Sequence, residues 1–151
     1  MYSIQFSALL VAAVFLLFGC ENTYKNNYKR EKNIRKFLEE ITKEPPSKNF
    51  DVIIIPSSFC GACTSETLDI IRDEFFSEKV IVILEANNLL SEKIKSIAPH
   101  STIVTAESKT IEKYGLVFVK TRYIKCRNSN IECSLEIIEE NIPQLTACIS
   151  K

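Results

Sequence analysis

Val52-Ile53-Ile54-Ile55-Pro56-Ser57-Ser58-Phe59-Cys60-Gly61-Ala62-Cys63 runs from four consecutive β-branched apolar residues into two cysteines separated by two residues. A continuous apolar run leaves no polar face for water, the pattern of a strand covered on both sides, and it implies a parallel sheet. On its amino side, Ile34, Phe37, Leu38 and Ile41 take the i, i+3, i+4, i+7 spacing of a helix with one apolar stripe, ended by Pro45-Pro46. On its carboxyl side, Thr64 to Phe76 predicts a helix with Leu68, Ile71 and Phe75 inward and with Glu66 and Asp69 in its early turns, where the helix dipole favours carboxylates. Val80-Ile81-Val82-Ile83-Leu84 predicts a second buried strand, Leu89 to Ile97 a helix, Ile103-Val104 a short strand, and Ser108 to Tyr114 a short helix stopped by Gly115. Strands that alternate with helices define an α/β fold.

The carboxyl part changes character. Arg122-Tyr123-Ile124-Lys125-Cys126 and Ile131-Glu132-Cys133 flank the polar segment Arg127-Asn128-Ser129-Asn130, which predicts an antiparallel hairpin. With Ser129-Asn130 as the two-residue turn, Arg127 faces Glu132 and Cys126 faces Cys133, an ion pair beside a cysteine pair within disulfide range. Leu135, Ile138, Ile142, Leu145 and Ile149 predict a final amphipathic helix, bent near Pro143.

The chain has 151 residues, with 19 basic and 19 acidic side chains, which suits one domain and gives no basic field for nucleic acid. Ile4 to Phe18 is almost wholly apolar, yet shorter than the roughly 20 residues of a spanning helix, and so reads as the apolar region of a signal peptide. The stretch Leu17-Phe18-Gly19-Cys20 resembles a bacterial lipobox, which implies cleavage after residue 19, a lipid on Cys20, and a domain held at a membrane outside the cytoplasm. Residues 20–33 are polar and read as a tether, and residues 34–151 as the folded domain. His100, the only histidine, has no partner in the sequence that would make it catalytic.

Six cysteines need six explanations. Cys60 and Cys63 stand after a buried strand and at the start of a helix. Unpaired backbone N–H groups and the positive end of the dipole there favour thiolate over thiol, and lower a pKa that is ordinarily about 8.5. Two intervening residues let Cys63 reach a mixed disulfide formed at Cys60. Cys60 is thus the expected nucleophile and Cys63 the resolving thiol, with no cofactor needed. For Cys126 and Cys133 the expectation is the hairpin disulfide. The rival, a zinc site completed by Cys60 and Cys63, has a second spacing wider than zinc sites prefer, so no metal is expected. Cys148 is left as a buried, inert thiol.

The strand, Phe59 and Cys60-Gly61-Ala62-Cys63 together resemble the thioredoxin-like superfamily, above all its membrane-tethered oxidoreductases with a strand and helix inserted after the redox helix. Lys113-Tyr114-Gly115-Leu116 is similar to the family's Tyr-Gly-Val segment, and the resemblance spans roughly residues 50 to 145. It implies a three-layer fold with a central mixed sheet, a carboxyl-terminal hairpin and a terminal helix, and exchange with protein thiols or disulfides. It also implies a substrate-binding stretch at Phe59, Val119, Lys120 and Thr121. One departure stands out: Lys120 occupies the position of the family's cis-proline, ahead of Thr121. A lysine has no comparable access to a cis bond. This leaves a second expectation beside the enzyme, a non-catalytic binding or assembly lipoprotein whose 60/63 pair is a structural disulfide.

Overall fold

The protein is described here from a computed structural model, which covers residues 29–56, 61–86 and 90–150, with side chains of residues 61–64 left aside. Helix α1 covers residues 29–42. It is followed by β1 (Phe50–Ile54), α2 (Gly61–Phe75), β2 (Ile81–Glu85), α3 (Leu90–Ile97), β3 (Thr102–Ala106), α4 (Ser108–Lys113), β4 (Arg122–Arg127) and β5 (Asn130–Glu136). A 3-10 turn, Glu139–Asn141, then leads into α5 (Ile142–Ile149).

One five-stranded mixed sheet has the order β3-β2-β1-β4-β5. β1 pairs in parallel with β2, β2 in parallel with β3, and β4 runs antiparallel to both β1 and β5. Alternation along β1 sends Ile53 and Ile55 to one face, against Leu68, Ile71 and Phe75 of α2, Ile94 of α3 and Leu145 of α5. It sends Val52 and Ile54 to the other face, against Ile34, Phe37 and Leu38 of α1, with Ile111 of α4 packed alongside. Helices thus cover both faces, as the unbroken apolar run requires.

Caps and polar clamps set the element ends. Gly115, at φ 64°, follows α4; its N–H donates to Glu112 O and the Leu116 N–H to Ile111 O, the two bonds of a Schellman stop. Glu40 of α1 accepts from Lys113 Nζ at 2.8 Å and from Tyr114 Oη at 2.5 Å, which fastens the end of α4 to α1. Arg35 pairs with the buried Glu31 and donates to the carbonyls of Ser47 and Lys48, which holds the chain between α1 and β1.

Several expectations need correction. The stretch read as a tether to residue 33 is helical from residue 29, and it contributes the buried, Arg35-paired Glu31. The final helix is shorter than its periodicity suggested, because Leu135 pairs with Tyr123 in the sheet and Ile138 is extended. Pro143 falls in the first turn of α5, where a missing N–H costs nothing.

The hairpin turns at Asn128-Ser129, both with positive φ, so Arg127 opposes Asn130 and Cys126 opposes Ile131. Arg127 then pairs with Asp51 of β1 rather than with Glu132. A bulge at Glu132 brings Cys133 opposite Lys125, and this moves Cys133 to the face of α2 and α5 while Cys126 stays on the face of α1. The Cys126–Cys133 disulfide is therefore replaced by Cys133–Cys148, with Cys126 the buried free thiol and Cys148 the bonded one. Opposite faces also prevent Cys126 and Cys133 from closing one zinc site.

Ile53, fully buried at the centre of β1, sets the expected scale of the core. Ile53→Ala should cost about 2–5 kcal/mol, whereas Phe76→Ala, at the exposed end of α2, should stay within about 0.5 kcal/mol; urea denaturation of both variants measures the difference.

Candidate functional site

The carboxyl end of β1 is where the chemistry-bearing residues gather in sequence. Ile55 and Pro56 are buried, and α2 begins at Gly61, the residue after Cys60. Phe59 and Cys60 lie outside the described residues, as does the side chain of Cys63, whose backbone belongs to the first turn of α2. That first turn carries no carboxylate. Glu66 and Asp69 fall in later turns because the helix starts three residues earlier than its apolar pattern indicated, so the N-terminal partial charge is not offset by an acid in the first turn. Cys20 and the leader also lie outside the described residues, among which no helix is long and apolar enough to cross a membrane.

Beside this end of β1 lies a cleft of about 90 Å³, lined by Ile55, Pro56, Glu85, Ser108, Leu116 and Phe118 among others. The Ser108 hydroxyl donates to the Glu85 carboxylate and joins the end of β2 to the start of α4. Two guanidinium groups lie over the Phe118 ring, Arg30 at 5.5 Å and Arg122 at 5.3 Å from its centre, while its neighbours Val117 and Val119 are exposed, Val119 to 91%. Arginine stacking fixes an aromatic ring at the base of an otherwise exposed apolar loop.

The three loop residues expected to bind substrate divide. Val119 and Lys120 are exposed, and the Lys120 ammonium sits 3.9 Å from Glu136, which in turn accepts from Arg122 at 3.0 Å. Thr121 is buried, its carbonyl accepts from the Ile137 N–H, and its hydroxyl has no partner among the described residues. Lys120 is thus engaged with Glu136 on the solvent side of the loop.

Away from this end, the sequence reading missed two polar groups on β4. Tyr123 is fully buried and donates to Asp51 at 2.8 Å; burial first, then the Asp51 charge, pushes its phenol well above the ordinary range. Lys125 is also buried and donates from Nζ to the carbonyl of Cys148 at 2.8 Å. The signal for both was available: period-2 alternation puts residues 123, 125 and 127 on one face of the strand. The chain matches no protein-family model, no curated protein and no solved structure.

Burial, and after it the neighbouring Glu31 carboxylate, pushes the Cys126 thiol up to about 12. Its neutral form belongs to the native state, so the stability it contributes is complete below the ordinary thiol value of about pH 8.5 and is lost as the pH rises from there through about 12. Native Cys126 should resist iodoacetamide at pH 9 and react at once in urea, as read by peptide mass spectrometry; rapid labelling of the folded protein would contradict the burial.

Proposed function

We propose that the chain is a membrane-tethered thiol-disulfide exchange protein of thioredoxin-like type, acting on protein cysteines outside the cytoplasm through Cys60 and Cys63. The observation that carries this reading is the start of α2 at Gly61, after the central strand and immediately past Cys60, with no carboxylate in its first turn. A thiolate at Cys60 is stabilised by the free N–H groups of that turn. The three-layer arrangement, the antiparallel hairpin and the terminal helix are consistent with the superfamily's plan, with α3 and β3 as the additional unit.

In the reducing direction, the Cys60 thiolate attacks one sulfur of a substrate disulfide and forms a mixed disulfide. The substrate's other sulfur leaves as a thiolate. Cys63, deprotonated, then attacks Cys60, which closes the 60/63 disulfide and releases the second substrate thiolate. In the oxidising direction the same steps run backwards. The exposed Val117 and Val119 beside the cleft suit an extended partner segment, and Lys120 offers that segment a trans peptide bond in place of proline.

The Cys133–Cys148 disulfide supports a location in an oxidising compartment, in agreement with lipidation at Cys20. A chain held there by a lipid needs no spanning helix and no cofactor.

A redox titration in glutathione or dithiothreitol buffers, with each cysteine followed by alkylation and peptide mass spectrometry, tests the proposal. Cys60 and Cys63 should interconvert reversibly between about −270 and −120 mV, the span of known exchange catalysts. A 60/63 pair that stays closed below about −300 mV would instead favour the binding or assembly lipoprotein with a structural disulfide.

A further inference from the structure

The Cys133–Cys148 disulfide ties edge strand β5 to the last turn of α5, and both of its cysteines line an open groove of about 380 Å³. Glu132, Leu135, Gln144 and Ala147 complete the lining. That volume lies within the range of small-molecule sites, about 300–1,000 Å³.

A buried cation stands behind the groove. Lys125 is the cross-strand partner of Cys133, and its Nζ donates to Cys148 O at 2.8 Å and to Ile149 O at 3.4 Å. One ammonium is thereby held at the backbone of Cys148 by a lysine that pairs across the strands with Cys133. Among the described residues no carboxylate pairs with it: Asp51, its neighbour on β1, is taken by Arg127 and Tyr123, and Glu132 is exposed on the outer side of the bulge. The carbonyls at the end of α5 are what hold the charge in place.

A cation beside a sulfur favours thiolate, and a disulfide whose leaving sulfur is a stabilised thiolate exchanges more readily. We propose that Cys133–Cys148 is a second thiol-exchange site, separate from Cys60 and Cys63, entered through the β5–α5 groove by a low-molecular-mass thiol. The incoming thiolate attacks Cys133, the more exposed half, and a new S–S bond forms as the Cys133–Cys148 bond breaks. Cys148 leaves with the electron pair as a thiolate near the Lys125 ammonium. Its attack on the new bond reverses the step, and a second thiolate attacking the adduct completes a two-electron reduction with release of the thiol's own disulfide.

The experiment uses the full chain and glutathione as probe, with acid quench, alkylation and peptide mass spectrometry. Residues 133 and 148 are read separately from 60 and 63, so failure at one pair is distinguishable from failure at the other. The expected result is a glutathione adduct on Cys133 with alkylated Cys148 in folded protein. Lys125→Met should raise the glutathione needed for half-conversion about tenfold, one pKa unit of lost thiolate stabilisation, and Lys125→Arg should restore it. Closure of the pair at every glutathione concentration that leaves near-ultraviolet dichroism intact, or no shift in Lys125→Met, overturns the proposal. If Lys125→Met does not fold, the reduced wild-type protein decides: Cys148 should alkylate with a midpoint below the ordinary thiol value of about 8.5, and a midpoint at or above that value overturns the assignment.

Discussion

Burial of β1 on both faces is the constraint from which the remainder of the structure follows. Val52, Ile53, Ile54 and Ile55 are each nearly inaccessible to water, and burying side chains of this size stabilises the fold by about 1.5–3 kcal/mol apiece. A strand of that kind cannot lie at an edge or face solvent. It takes β2 on one side and β4 on the other, and it demands α2, α3 and α5 over one face and α1 with α4 over the other. The same constraint buries Ile55 and Pro56 at the carboxyl end of β1, and in sequence the two cysteines of the motif follow from there to the first turn of α2.

Much of this was legible in the sequence because apolar periodicity reports burial directly. The runs at 52–55 and 80–84 and the stripe at Ile34, Phe37, Leu38 and Ile41 correspond to β1, β2 and α1, and Gly115 stops α4 by the expected left-handed turn. What was not legible depended on register. Asn128 tolerates positive φ better than most residues and draws the turn one position earlier than Ser129-Asn130. The bulge at Glu132 then reverses the facing of Cys133. Such a change moves every later side chain of the strand to the other face, and with them the disulfide. Leu135 and Ile138 had helical spacing, yet ladder pairing with β4 governs the first and an extended connection the second.

The two proposed exchange sites stand, in chain order, at helix ends of opposite sign. On the proposed function, the partial positive charge at the start of α2, whose first turn holds no carboxylate, is what favours a thiolate at Cys60. At the end of α5 the carbonyls carry partial negative charge, which would disfavour a thiolate at Cys148. In the proposed second site Lys125 reverses that sign, because its ammonium is held on the carbonyls of Cys148 and Ile149. Lys125 lies level with Asp51 in the sheet, near the start of β1, whereas Cys60 follows its end. The two proposed exchange sites thus fall toward opposite ends of the sheet in chain order.

The central claim is that the start of α2 makes Cys60 a thiolate. The pH dependence of iodoacetamide alkylation in the fully reduced chain, followed at Cys60 and Cys63 separately, measures it most directly. The account predicts a midpoint for Cys60 well below the ordinary thiol value of about 8.5, with Cys63 reacting far more slowly. A Cys60 midpoint at or above that value, or equal reactivity of the two thiols, would contradict it.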